Sequence, residues 1–248
     1  MRTAIAIALV ALVALDAAPA LGGKAEDEAI ALYKQGVDLG NQGKLDEAIA
    51  AFQQAIAKAP KSFDVAYLKL GLAYEMASRW PEAMAAYDAA IAIDKLKKPD
   101  AHGFLGSLYR KMGLFDMAVQ AHREAVARGE KAYKDKPQKL ADLHYDLALD
   151  YVEMKLYGDA IRSLEKGLEL DPTSKPHRLL LGNVHALAEK WDDADAQYKK
   201  LLEADPNDGD AMYGLGFVDR KRGKKEEARE WFRKACDLKH AKACRERH

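Results

Sequence analysis

Three observations predict an all-α fold of stacked helical hairpins. The first is the stretch 142–172, where two apolar helical patterns flank a break at residues 155–158. His144, Leu147, Ala148 and Tyr151 fall three or four apart and share one helix face, and Ala160, Ile161, Leu164, Gly167 and Leu168 do the same beyond the break. Asp171 and Pro172 end the second helix, because proline drives the residue before it out of the helical region. The second observation is recurrence. Ala160, Ala194 and Ala228 are spaced by 34 residues, and the same step carries Leu164 to Tyr198 and Phe232, Ala148 to Gly182 and Gly216, and Pro172 to Pro206. The third is the mixture of sizes: Ala148, Ala160 and Gly167 stand among large apolar residues, which lets two helices approach and interlock.

Taken in order, the chain opens with Met1, Arg2 and Thr3, then twelve residues without a polar side chain (4–15), then Asp16 and the small-x-small run Ala18, Pro19, Ala20. This is the outline of a secretory signal peptide over residues 1–20. As a helix the apolar run spans only about 18 Å, too short for a bilayer core. It is apolar all round, which speaks against an amphipathic first helix of the domain. The expectation is a periplasmic or secreted protein whose mature chain starts near Leu21 and has no membrane span. Residues 21–28 form a polar lead-in. Six repeats follow at 29–62, 64–97, 99–132, 141–174, 175–208 and 209–242. The first carries Gly36, Leu39, Ala48, Phe52, Ala55 and Pro60. The second carries Tyr67, Leu70, Gly71, Tyr74, Ala83, Tyr87 and Ala90, with Phe63 extra before it and Lys95 in place of the final proline. The third carries Leu105, Gly106, Tyr109, Ala118, His122 and Ala125. Residues 133–140 are an insertion, expected as a longer helix pair or loop, with a basic contact site from Lys131, Lys134, Lys136 and Lys139 as the sharper alternative. Residues 243–248 remain as a C-terminal cap.

The recurring slots are a Gly or Ala and a Tyr in the first helix, then Ala, a large aromatic and Ala in the second, then Pro. They resemble the tetratricopeptide repeat family. That resemblance implies a right-handed solenoid of six stacked helix-turn-helix repeats whose first helices line an inner, concave surface. The inward slots then hold Tyr33, Val37, Leu68, Leu72, Tyr145, Leu149, Val152, Leu179, Tyr213 and Phe217, with a polar middle at Asp100, Gly103, Ser107 and Arg110. Apolar patches of this kind mark interaction sites, so the expected partner is a protein or peptide segment of unknown identity. One branch of the family grips a peptide carboxylate with Lys, Asn and Arg side chains on three successive first helices. The matching places here hold Tyr33, Val37, Lys69, Asp100 and Phe104, or Tyr145, Leu149, Leu180, Asp210 and Gly214, so that clamp is absent.

Lys and Arg number 39, as do Asp and Glu, for a net charge of zero. Such a balance provides no field to gather nucleic acid. Hydrophobic residues make up 49% of the chain, enough for a packed protein. No HExxH, Gly-rich phosphate loop, GxSxG or CxxCH occurs, so no catalytic set, metal or cofactor is expected. His102, His122, His144 and His185 occupy packing slots. Asp192, Asp193, Glu226 and Glu227 suit the dipole at the start of second helices. Trp80 and Trp191, at the turns, read as packing residues. The expected function is therefore a non-enzymatic scaffold of the cell envelope. The alternative is a hydrolase of cell-wall or antibiotic chemistry, as proposed for cysteine-rich relatives of the repeat, although no nucleophile with a base is visible. Nothing in the sequence sets an oligomeric state.

The tail holds the only cysteines, Cys236 and Cys244, alternating with His240 and His248 at steps of four. Three readings compete. Four ligands on one helix would spread over about 18 Å, too far for one zinc ion. A disulfide needs the Cα atoms within about 7 Å, so the helix must end near Lys239 and the chain must turn; an exported chain makes this the leading reading. Free thiols are the third. The tail also resembles cysteine-rich secreted relatives of the repeat, in which ACDL-x-H-x-x-x-C staples a second helix to the next first helix. That resemblance implies a Cys236–Cys244 bridge.

Overall fold

The computed structural model describes residues 23–59, 64–94 and 98–246. The expected export segment 1–20 lies outside them, as do Pro60, Phe63, Lys95 and His248. The described residues form thirteen α-helices and no strand. They run in pairs: α1 (Lys24–Asn41) with α2 (Leu45–Lys58), α3 (Asp64–Met76) with α4 (Trp80–Ile93), α5 (Asp100–Lys111) with α6 (Phe115–Ala132). Then come α7 (Pro137–Glu153) with α8 (Tyr157–Leu170), α9 (Lys175–Leu187) with α10 (Trp191–Ala204), α11 (Gly209–Lys221) with α12 (Lys225–Asp237), and the short α13 (Ala241–Glu246).

The reversal inside each pair has one local cause. A single residue of left-handed backbone follows each first helix: Gly43, Ser78, Gly113, Lys155, Glu189 and Gly223. The next residue's N–H then closes back on the helix, as in Arg79 N to Tyr74 O (2.8 Å), Leu156 N to Tyr151 O (2.8 Å) and Lys190 N to His185 O (2.8 Å). This double-capped stop satisfies carbonyls that the helix end would leave bare. Only glycine takes that conformation freely, so Ser78, Lys155 and Glu189 each hold it at a cost of about 1–2 kcal/mol. Two of the described connections between pairs use a different stop. Asp171 and Asp205 leave the helical region, and their side chains accept from the backbone N–H groups of Thr173 (3.2 Å) and Asn207 (3.0 Å).

Pairing within a hairpin depends on a ring lying on a glycine. Phe52, Tyr87, His122, Tyr198 and Phe232 each cover the glycine sixteen residues earlier: Gly36, Gly71, Gly106, Gly182 and Gly216. A Cβ at Gly71 would come within 2.4 Å of the Tyr87 ring, and one at Gly106 within 2.8 Å of His122. The fourth hairpin carries other sizes at the corresponding places, Ala148 and Leu164, both fully buried. Overpacking any of these seams would force the helices apart.

The chain divides between Arg128 and Gly129 into two compact units. In the first, one continuous core joins Ala29, Phe52, Leu70, Tyr87 and Leu108 across α1 to α5. In the second, separate clusters gather around Tyr198 with Leu215 and around Phe232 with Ala243. The insertion lengthens helices: α6 has 18 residues and α7 has 17, against 14 and 13 in α8 and α9, leaving a short link at 133–136. Lys131, Lys134, Lys136 and Lys139 are all exposed there, with the Lys139 ammonium 5.5 Å from the Tyr133 ring centre. After α12 the chain turns at Lys239, whose φ is 65°. The Cys236 and Cys244 sulfurs then lie at bonding distance, with Cα atoms 4.6 Å apart.

Candidate protein-interaction groove

The ten residues expected to face inward divide sharply between the units. In the first, Tyr33, Leu68 and Leu72 are buried at 6%, 3% and 8% exposure and belong to the core cluster of that unit. Val37 packs partly against the same core. The cause is local. From Val65 to Tyr74 only Tyr67 escapes full burial on α3, and a helix that is apolar nearly all round is enclosed on every side. Tyr33 lies tilted on Phe52 with ring centres 5.9 Å apart.

In the second unit the inward residues stay half-open. Leu179, Asn183, Ala186 and Leu187 of α9, Asp210, Tyr213, Gly214 and Phe217 of α11, and His240, Ala241 and Lys242 at the start of α13 line a hollow of about 570 Å³ floored by Tyr198. A second hollow of about 260 Å³ continues it past Leu179 and Asn183 to Leu180, Pro176, Lys175 and Tyr145. Together they form a groove across α7, α9 and α11. Leu149 and Val152 are half-buried on α7, outside both hollows.

The aromatic residues of the groove are held by neighbouring side chains. The Tyr198 hydroxyl donates to Asn183 Oδ1 at 2.8 Å, and burial pushes the Tyr198 phenol well above its usual range. Phe217 meets Trp191 at 6.4 Å. Tyr213 meets Phe232 at 5.6 Å and stacks on His240 at 4.9 Å. Tyr145 meets the His177 imidazole at 5.0 Å. The rim is polar. Asp208, buried at the start of α11, accepts from the N–H groups of Asp210 and Ala211 and pairs with Lys175 at 3.0 Å. That bond, with help from nearby carboxylates, raises the Lys175 pKa. Leu187 on the rim is 52% exposed, the highest value among the large apolar side chains of the described residues.

One supporting residue was invisible to the repeat pattern. His177 is 2% exposed; its Nε2 donates to the Ala141 carbonyl at 2.9 Å and its Nδ1 accepts from the Ser174 hydroxyl at 2.7 Å. It sits over Gly167, where a Cβ would come within 2.3 Å of the ring. The available signal was a paired change of volume: Gly167 and His177 stand where the next repeat junction has Leu201 and Ala211. His122 is fully buried, with Nε2 3.1 Å from the Gly103 carbonyl. His102, His144 and His185 have their pKa lowered, chiefly by burial. The first unit also has a hollow of about 570 Å³, but Asp88, His102, Arg123 and Glu124 ring it with charged or titratable groups.

Comparison with known proteins agrees with this architecture. Residues 33–96 and 179–241, and separately 99–173, match the tetratricopeptide repeat. Among solved structures, pilF of Pseudomonas aeruginosa has a TM-score of 0.70 at 16% identity, over 90% of this chain and 98% of its own. YrrB, a TPR protein with an unusual peptide-binding site, has a TM-score of 0.62 at 24% identity, over 79% and 96%. Anaphase-promoting complex subunit 3 of Schizosaccharomyces pombe is 26% identical over 82 residues, which is 33% of this chain and 12% of that protein.

Proposed function

Because the chain belongs to the tetratricopeptide repeat family, we propose that it is a non-enzymatic adaptor of the cell envelope that holds a segment of a partner protein in the groove of its second unit. The observation that carries this reading is the half-open wall formed by Tyr145, Leu179, Tyr213 and Phe217 around the floor at Tyr198. Aromatic residues in a concave, partly desolvated site provide the anchors on which protein recognition usually concentrates. A groove running across three first helices suits an extended or helical segment. The balanced charge supports binding that depends little on salt. Export rests on residues 1–20, and amino-terminal sequencing from the native host is expected to begin near Leu21.

The test places a photo-crosslinking residue at Asn183 in the groove and, as control, at Lys199 on α10. A discrete adduct is expected from Asn183 alone, and Phe217→Ala is expected to weaken it while far-UV helicity stays unchanged. Adducts from a probe at Lys134 with none from Asn183 would move the interaction to the insertion.

A further inference from the structure

Helix α13 forms one lip of the groove, and among the described residues few contacts hold it there. It has six residues, fewer than an isolated helix needs to persist. Ala243 is its one buried residue, packed with Met212, Phe232 and Ala235; it is the third residue of its helix, as His177 is of α9 and Ala211 of α11. An ion pair from Arg220 to Glu246 is largely solvated and adds little. The junction at Lys239 is left-handed backbone on a non-glycine residue, which disfavours the turn by itself. Two stronger ties remain. One is His240, which donates from Nε2 to Asp210 Oδ1 at 3.2 Å, accepts at Nδ1 from the Ala243 N–H at 3.2 Å and stacks on Tyr213. The other is the covalent bridge from Cys236 to Cys244, both half-buried.

These ties meet at the groove. His240, Ala241 and Lys242 line it, and Tyr213 is held between His240 and Phe232. We propose that the Cys236–Cys244 bridge is a thiol-operated latch on the groove: a reducing dithiol frees α13, removes the lip and loosens Tyr213, so the site is complete only in the oxidised protein. This rests on the groove being the binding site. In the exchange, one thiolate of the dithiol attacks the Cys244 sulfur and Cys236 leaves as thiolate. The second thiol of the reagent then attacks the mixed disulfide and displaces Cys244. The two cysteine thiolates take up the two protons that the reagent gives up. The reagent leaves as a disulfide, two electrons poorer, and the protein keeps two thiols.

Hydrogen exchange of the full chain, oxidised and after dithiothreitol, reads this directly. Amides of residues 241–246 are expected to exchange at least about tenfold faster after reduction, with a smaller gain at 209–217 and none in α8. The Cys236→Ser/Cys244→Ser variant is expected to match the reduced protein with or without dithiothreitol. Unchanged protection of 241–246 in both reduced protein and variant overturns the latch. So does a gain confined to 241–246, because the groove would then be indifferent to it, and so does lost protection in α8, which would make the bridge a staple of the whole unit. Crosslinking from Asn183 in both thiol states separates the premises. Equal adducts in both states sink the latch and keep the groove. No adduct in either state sinks the groove reading, whatever the exchange data show.

Discussion

Two rings at the same place in their hairpins meet different neighbours. Tyr87 in the first unit and Tyr198 in the second each lie on the glycine sixteen residues before them, and both are buried. Phe104 stacks on Tyr87 with ring centres 5.8 Å apart. At the corresponding place, two residues before the next hairpin's glycine, Tyr198 meets Gly214, where a Cβ would come within 2.5 Å of the ring. A phenyl ring completes one core, and its absence leaves the hollow in the other. Whether a first helix in this fold shows a wall or a groove therefore turns on single residues that cover, or fail to cover, the ring beneath.

The largest expected effect comes from undoing that difference. Phe104→Ala removes the cover from Tyr87 and is expected to cost about 2–3 kcal/mol, less than a fully enclosed phenylalanine because Phe104 is half-buried. Urea unfolding measures the loss. A loss below about 0.5 kcal/mol would show that the first unit does not depend on this ring. Next in size is the seam itself. Gly71→Ala is expected to cost about 1–2 kcal/mol by overpacking against Tyr87. Adding Tyr87→Leu recreates the Ala148–Leu164 arrangement, so the double variant is expected to be more stable than the sum of the two single changes by about 1 kcal/mol. Strict additivity in a double-mutant cycle would break the account of the seam.

Acid is expected to bring the smallest change, and it should fall unevenly. Burial lowers the pKa of His144 and His185 in the second unit and of His102 in the first. The unfolded chain then binds protons more readily than the folded one below the ordinary histidine value of 6.5, so stability is full above that pH and declines as pH falls through it. Asp142, whose pKa burial raises, opposes the trend at lower pH. Thermal melts between pH 7 and 5 are expected to show a fall that His144→Gln with His185→Gln reduces more than His102→Gln does. Equal slopes in all three proteins would discard the assignment.

The hairpins were legible in the sequence because each copy restates the others. A spacing of 34 residues that returns alanine, ring and alanine to the same places leaves little freedom in where the helices lie. The groove was legible only in part. Slot positions tell which way Leu68 and Leu72 point, but not that the neighbours of α3 close over them. His177 escaped because its signal is a volume exchange with Gly167 across two repeats, outside the pattern of either one alone. The turn at Lys239 could be anticipated from the slot that Pro172 and Pro206 occupy, yet its left-handed backbone matches the turns inside hairpins more closely than those between them.

The sixteen-residue tie between glycine and ring also bears on how such a chain can change over generations. Neither partner tolerates alteration alone, since an added methyl meets a ring and a lost ring leaves a void. A genetic crossover that falls between the two codons joins a glycine from one copy to whatever stands opposite in another, and at Ala148 and Leu164 the result is either a clash or a gap. Crossovers in the links between hairpins keep every couple intact. Whole hairpins are therefore the pieces that carry this couple unbroken, although a cut in the link 171–174 would still part His177 from the Gly167 it covers.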